Sequence, residues 1–63
     1  MTKDFHFMRI KDVIEKTGIS RSTIYLKISK EQFPKGVKLG ERMIAWQSID
    51  IDGWMDDPTG WKP

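Results

Sequence analysis

The chain has no cysteine and only one histidine among its 63 residues. It can therefore form neither disulfides nor thiolate metal sites. One histidine near the terminus, His6, cannot build a zinc site or a histidine-based catalytic triad. No apolar run approaches the roughly 20 residues of a membrane span, and no secretory signal pattern is visible. We therefore expect a cytoplasmic protein with no metal, no cofactor, no small-molecule substrate and no membrane partner.

The chain is also short, which limits what its core can support. A domain of this length buries about 60% of its unfolded surface, and a deep catalytic pocket would use up most of that burial. Apolar residues make up 38% and charged residues 32%, a mixture typical of a folded domain rather than a disordered chain. We expect one domain over residues 1–63 that catalyses nothing, with an ordered core at about 5–57 and a tail at 58–63.

The small net charge of +2 conceals an uneven distribution along the chain. Residues 9–42 carry nine Lys and Arg minus four Asp and Glu, a net charge of +5. Residues 43–63 carry one basic residue minus four acidic residues, a net charge of −3. A basic segment of this kind is typical of a surface that faces a polyanion, although ordinary solvated charge gives the same count.

The first third of the chain predicts a strand, a helix and a tight turn. Alternation over residues 5–10 predicts a short strand that enters the domain. The next apolar positions follow the spacing of one helix face: Ile10, Val13, Ile14 and Thr17. Gly18 is expected to end this helix in the left-handed conformation, and Ile19 to fold back onto it.

A second helix is predicted over residues 20–30. Ser20 is a good N-cap residue, because its hydroxyl can accept a bond from a free backbone N–H. Ile24 and Ile28 lie four residues apart and define the buried side. At 100° per residue, Leu26 falls at about 240° from Ser20 and points away from that pair. Pro34 then forces an extended approach to the next element.

Residues 35–46 alternate and predict a basic hairpin with a two-residue Gly40-Glu41 turn. This register places Leu39 opposite Arg42 and Val37 opposite Ile44, so that one face carries Val37, Leu39, Ile44 and Trp46. The spacing of the large aromatic residues on this hairpin and around it favours core packing over base stacking: Phe33, Trp46 and Trp54.

A third helix is predicted to begin at Ser48, which we expect to be its N-cap. Its packing side is marked by Ile51, Trp54 and Met55. Turn residues at 57–60 end the regular structure. Trp61 either folds back onto the domain or extends from it.

The order of helix, short glycine turn, helix and basic hairpin indicates a helix-turn-helix with a wing. The second helix would enter the major groove of duplex DNA, and the hairpin would contact the flanking DNA. The candidate DNA-contacting residues are Ser20, Arg21, Ser22, Thr23, Tyr25, Leu26 and Lys27 on the helix, with Lys38 and Arg42 on the hairpin.

Each of these side chains also has a plain structural explanation. Leu26 is a candidate contact to a thymine methyl group or simply an exposed leucine. The hydroxyls at the helix start can meet base edges or only cap the helix. Tyr25 and Lys27 can reach phosphates, or serve as core flank and solvated charge. Lys38 and Arg42 can contact phosphate or the minor groove, or only keep the hairpin soluble.

With these motifs in place, the chain resembles the AlpA-type prophage regulatory proteins over roughly residues 7–55. More distantly it is similar to phage excisionases and to the DNA-binding domain of MerR-type regulators. The likeness lies in residues 9–13, 17–25, 33–35, 37–40, 42 and 45–46. It implies a winged helix that reads the major groove, with a role in transcription control or in prophage excision beside an integrase. Leu26 stands where relatives often have a basic or amide side chain.

We therefore predict a mainly α-helical α+β fold, a winged helix-turn-helix that binds double-stranded DNA. A domain this small offers few base contacts, so further copies of itself or an integrase are candidate partners. The alternative is a protein-interaction adaptor of the same shape, in which Leu26 and Trp61 contact an integrase or a repressor. An adaptor would have no affinity for duplex DNA.

Overall fold

A computed structural model describes residues 6–63, which form three helices and three short strands in an α+β arrangement. In chain order the elements are β1 (Phe7–Met8), α1 (Ile10–Thr17), α2 (Arg21–Ser29), β2 (Val37–Lys38), β3 (Ile44–Gln47) and α3 (Ser48–Asp56). The order confirms the predicted helix-turn-helix followed by a hairpin wing. Phe5, the first residue of the predicted strand, lies outside the described residues.

Strand β3 is the centre of the antiparallel sheet, whose strand order is β1-β3-β2. Met8 of β1 lies opposite Trp46, and Val37 of β2 lies opposite Ala45. Helices α1 and α3 both contact β3. The sheet thus joins the start of the chain, the wing and the last helix into one body.

The core draws on nearly every element, as the spacing of apolar residues predicts. Its buried members are Met8, Val13, Ile24, Phe33, Ala45, Trp46, Ile51 and Trp54. Partly buried side chains pack around them, namely Ile10, Ile14, Ile19, Ile28 and Trp61. The expected core aromatics are confirmed, and Trp61 folds back onto the domain.

The segment between α2 and the wing is held by two tryptophans. The Nε1–H of Trp54 donates to the backbone carbonyl of Gln32, and the Nε1–H of Trp46 donates to that of Pro34, each at 2.8 Å. The ring of Phe33 lies 4.7 Å from that of Trp54, measured between centroids. Both indoles therefore bury their rings while their N–H groups keep an acceptor.

The predicted hairpin register is wrong by one residue. Val37 pairs with Ala45 instead of Ile44, and the Leu39 N–H donates to the Met43 carbonyl at 2.8 Å instead of facing Arg42. The connecting loop consequently has three residues, 40–42, where two were predicted.

The register follows from how β3 is buried. Ala45 and Trp46 are both buried, so both faces of β3 are covered there and simple alternation does not identify a single inner face. Val37 and Leu39 consequently share a face with Ala45, and Trp46 lies on the other. Gly36 allows the close approach on the Trp46 side, since a Cβ at this position would lie 3.2 Å from the indole and overlap Ile44.

Two predictions for α3 are also wrong. Ser48 is the first residue of the helix and is buried, and Gln47 occupies the N-cap position. The Ser48 hydroxyl accepts from the His6 N–H at 3.0 Å, while the Ser48 N–H donates to the His6 carbonyl at 2.8 Å. This serine therefore ties His6, just before β1, to α3 instead of capping. Met55 is 40% exposed, although it lies four residues after Ile51 on the same helix face, because it is in the last turn of α3, next to the helix end at Asp56.

Helix α2 ends on a residue that no sequence pattern marks. Glu31 has a φ of 58°, in the left-handed region that usually favours glycine. Its N–H donates to the Ile28 carbonyl at 3.0 Å, and the Gln32 N–H donates to the Lys27 carbonyl at 2.8 Å. This pair of bonds is a Schellman motif, which satisfies carbonyls at the helix end.

We predict that Ile24→Ala lowers the free energy of unfolding by about 2–5 kcal/mol, because it truncates a fully buried side chain. A domain near the lower size limit has little stability to spare. Thermal and urea unfolding measure the loss. Leu26→Ala, an aliphatic truncation at an exposed position of the same helix, is the matched control. An Ile24→Ala variant that melts with the parent contradicts the packing described here.

Candidate nucleic-acid interface

The turn between α1 and α2 is fixed by its own hydrogen bonds. Gly18 has a φ of 75°, which confirms the predicted left-handed end of α1, and its N–H donates to the Ile14 carbonyl at 2.8 Å. The Thr17 hydroxyl donates to the Val13 carbonyl at 2.7 Å and accepts from the Ile19 N–H at 3.3 Å. The direction in which α2 leaves the turn is thereby set locally.

Ser20 caps α2 as predicted. Its hydroxyl oxygen accepts from the Thr23 N–H at 3.3 Å and lies 2.9 Å from the Thr23 hydroxyl oxygen, to which it donates. The capping role of Ser20 is therefore established by geometry, with the backbone N–H of Thr23 as the capped group. The Thr23 hydroxyl still has its own hydrogen to donate outward.

The two sides of α2 differ as the 100° periodicity predicts. Ile24 is fully buried, and Ile28 packs against the core from a partly buried position. On the opposite side Ser22 is exposed, and Leu26 is 54% exposed. The Ser29 hydroxyl donates to the Leu26 carbonyl at 2.7 Å, so this hydroxyl hydrogen is used within the helix. Ser22 and Leu26 thus present a hydroxyl and an apolar side chain to solvent.

Arg21, the first residue of α2, pairs with Tyr25, which lies on one edge of this exposed side. The guanidinium carbon of Arg21 lies 6.0 Å from the centroid of the Tyr25 ring, at the outer limit of a cation–π contact. Tyr25 is 38% exposed, so it is not a core residue. The contact favours one orientation of Arg21 at the start of α2.

Lys27 lies on the other edge and is half-buried. It lines a cleft of about 220 Å³ together with Gln32, Pro58, Thr59 and Trp61. The end of the chain therefore packs beside the C-terminal half of α2. Of the helix candidates, Lys27 is the one most enclosed by the C-terminal segment.

The wing projects from the body of the domain. Every residue from 37 to 44 is exposed, including the candidates Lys38 in β2 and Arg42 in the 40–42 loop. Leu39 and Met43 stand beside them at 45% and 42% exposure. The predicted two-residue turn puts Leu39 on the covered face with Trp46, and this prediction is wrong. With a three-residue loop, Leu39 lies on the face opposite Trp46, as the structure shows.

The described part of the chain offers little for other chemistry. Among residues 6–63, no group of three or more His, Asp or Glu side chains could hold a metal ion. None of the helices formed by these residues is long and apolar enough to cross a membrane.

The chain matches, over residues 6–59, the family described as prophage CP4-57 regulatory protein (AlpA). It is 43% identical over 49 residues to an uncharacterized protein, ORF88, of Enterobacteria phage P4, a match that covers 78% of this chain and 56% of the relative. The chain thus spans only about half of that relative's length. It is 35% identical over 54 residues to the DNA-binding transcriptional activator AlpA of Escherichia coli (strain K12), covering 76% and 77% of the two chains. No solved structure matches the chain significantly.

Proposed function

The chain belongs to the AlpA family of prophage regulatory proteins, and on this premise we propose that it is a sequence-specific regulator that binds duplex DNA. The observation that supports the proposal is that α2 has one buried side and one exposed side. Ile24 anchors one side in the core, while the capped start of the helix and the opposite side are exposed. A helix held in this way can lie in a major groove without disturbing the core.

The exposed side of α2 is the proposed reading surface. Ser22 and Thr23 lie in its first turn, where recognition helices usually meet base edges. Their hydroxyls can bond to any of several bases, whereas the Leu26 side chain can contact only an apolar group. The apolar group in the major groove is the C5-methyl of thymine. We therefore assign Leu26 to a thymine contact.

The cations on α2 lie at the edges of this surface. At 100° per residue, Tyr25 falls at about 140° from Ser20 and Lys27 at about 340°, one on each side of the surface around Leu26. Arg21 falls at about 100°, nearer the buried side, but it is the exposed first residue of α2 and lies beside the Tyr25 ring. The two edges of a helix in the major groove face the two phosphate strands. Arg21, oriented by Tyr25, and Lys27 are therefore assigned to phosphates on opposite sides.

The wing is the proposed second contact. Lys38 and Arg42 are exposed on a hairpin that follows α2 after seven residues. We assign them to the flanking backbone or minor groove, which positions the protein without reading the sequence. The four aspartates of residues 43–63, on α3 and just after it, are repelled by phosphate. This surface is therefore expected to face away from the DNA.

The physiological role follows from where the protein binds. Footprinting on the DNA upstream of its own gene and at nearby attachment sites separates transcription control from prophage excision. Protection at a promoter supports transcription control, and protection at an attachment site beside an integrase gene supports an excision factor. A single small domain makes few base contacts, so binding by several copies or with an integrase is part of the proposal.

The adaptor alternative disagrees with the position of one residue that it requires, Trp61. It required Leu26 and Trp61 as exposed contacts, but Trp61 packs against the core. Absence of any duplex affinity at low salt would reinstate it and overturn the proposal.

We predict that Arg42→Ala weakens binding to specific and unrelated duplexes alike, because phosphate and minor-groove contacts carry little base information. If the complex neutralises about five phosphates, the slope of log K against log salt is about −4.5, and the variant loses about one unit of it. Fluorescence anisotropy over a range of salt concentrations measures both values.

The control is Lys16→Ala, which removes the same charge from a residue paired with Asp52 of α3 at 3.0 Å. It should leave the slope nearly unchanged. An Arg42→Ala variant that keeps its slope but loses preference for one base pair would place Arg42 in direct base readout.

We predict that replacing the contacted thymine with uracil costs the parent protein about 0.8 kcal/mol, the value of one buried methyl-sized group. Leu26→Ala should lose a similar amount on thymine DNA and almost nothing on uracil DNA, so the double-mutant cycle isolates the pair. Thermal stability should stay within about 0.5 kcal/mol of the parent, as at other surface positions. Equal binding of the two DNAs by the parent, at every thymine tested, would remove Leu26 from the readout.

A further inference from the structure

Two apolar side chains meet at the tip of the wing. The Leu39 N–H donates to the Met43 carbonyl across the hairpin at 2.8 Å, which brings these residues side by side. Leu39 is 45% exposed and Met43 is 42% exposed. Val37, two residues from Leu39 on the same face, is 39% exposed. The wing therefore carries a small continuous apolar strip away from the core.

Nothing in residues 6–63 covers this strip, since every residue from 37 to 44 is exposed. Outside the 40–42 loop, the exposed arms are residues 37–39 and 43–44, so the tip extends roughly 7–10 Å from the body of the domain. Single exposed apolar residues are common on protein surfaces, but adjacent ones at the end of a projecting hairpin indicate a contact site.

The charges around the strip favour a polyanion as the occupant. Residues 35–43 contain Lys35, Lys38 and Arg42 against Glu41 alone. A second copy that docked through its own wing would bring these cations against each other, which disfavours it. DNA offers phosphates for the cations and base edges for the apolar side chains.

We propose that Leu39 and Met43 form a wedge that enters the minor groove beside the site of α2 and partly unstacks one base step. This rests on the proposed function and extends it, because it gives the protein a DNA-bending activity. Apolar side chains such as leucine and methionine act in this way in minor-groove proteins, flanked by Arg and Lys. Here Arg42 and Lys38 are the flanking cations.

The wedge also specifies where in a binding site it acts. Pyrimidine–purine steps such as TA and CA open most easily, so one such step should lie under the wing. Glu41 is the carboxylate nearest the tip in sequence. Its repulsion by phosphate should lower affinity, and Glu41→Gln should therefore bind duplex DNA more tightly.

The test uses the full chain on duplexes that carry its footprinted site. 2-Aminopurine placed singly at each step beside the α2 site reports unstacking by increased fluorescence, and energy transfer between end labels reports the bend. The parent should increase the fluorescence at one step and bend the duplex by about 20° or more. The double variant Leu39→Ser/Met43→Ser should lose both signals while binding within about tenfold of the parent, since its phosphate contacts remain.

Ile49→Ser is the matched control, because it removes an apolar side chain that is 54% exposed on α3. It should keep both signals. Binding by the parent without unstacking or bending overturns the wedge and leaves the proposed function intact. Failure of the parent to bind any duplex overturns both together. A change in oligomeric state on Leu39→Ser/Met43→Ser, seen by sedimentation of the free protein, would assign the strip to self-association and overturn the wedge.

Discussion

Two hydrogen bonds from buried indoles to the backbone carbonyls of residues 32 and 34 fix the position of α2 relative to the wing. The donors are Trp46 on β3 and Trp54 on α3, and the acceptors lie on the seven-residue connection between α2 and the wing. Such a connection would otherwise leave the reading helix and the wing free to move independently. Because both carbonyls are tied to the core, the spacing between the two proposed DNA contacts is fixed before binding. Preorganisation of this kind lowers the ordering cost of association.

The basic and acidic segments of the chain fall on different elements of the fold. Helix α2 and the wing come from the segment with a net charge of +5, and α3 comes from the segment with a net charge of −3. One exposed ion pair links the two halves, between Lys16 of α1 and Asp52 of α3 at 3.0 Å. It contributes little to stability at this exposure. Within residues 6–63, the cations of α2 and the wing form no ion pair, and a phosphate backbone is proposed to bind there.

Sequence patterns predict correctly those features that depend on residues within about one turn of helix. The left-handed Gly18, the Ser20 cap and the buried Ile24 each follow from one turn of helix, and all three are confirmed. The hairpin register depends on burial of both faces of β3 at Ala45 and Trp46, and the role of Ser48 depends on its bonds to His6, so local patterns misassigned both. The exposure of Leu39 was missed because a two-residue turn puts it on the covered face. Candidate DNA contacts were predictable as exposed positions on α2, but the exposure of a side chain does not identify its ligand.

The central claim is that one surface, formed by α2 and the wing, binds duplex DNA. Backbone amide chemical shifts of the labelled protein, followed by NMR during titration with a footprinted duplex, test it most directly. We expect shifts concentrated in residues 20–30 and 36–43, with residues 49–56 of α3 nearly unchanged. Shifts concentrated on α3, or spread evenly over the domain with no saturation, would contradict it.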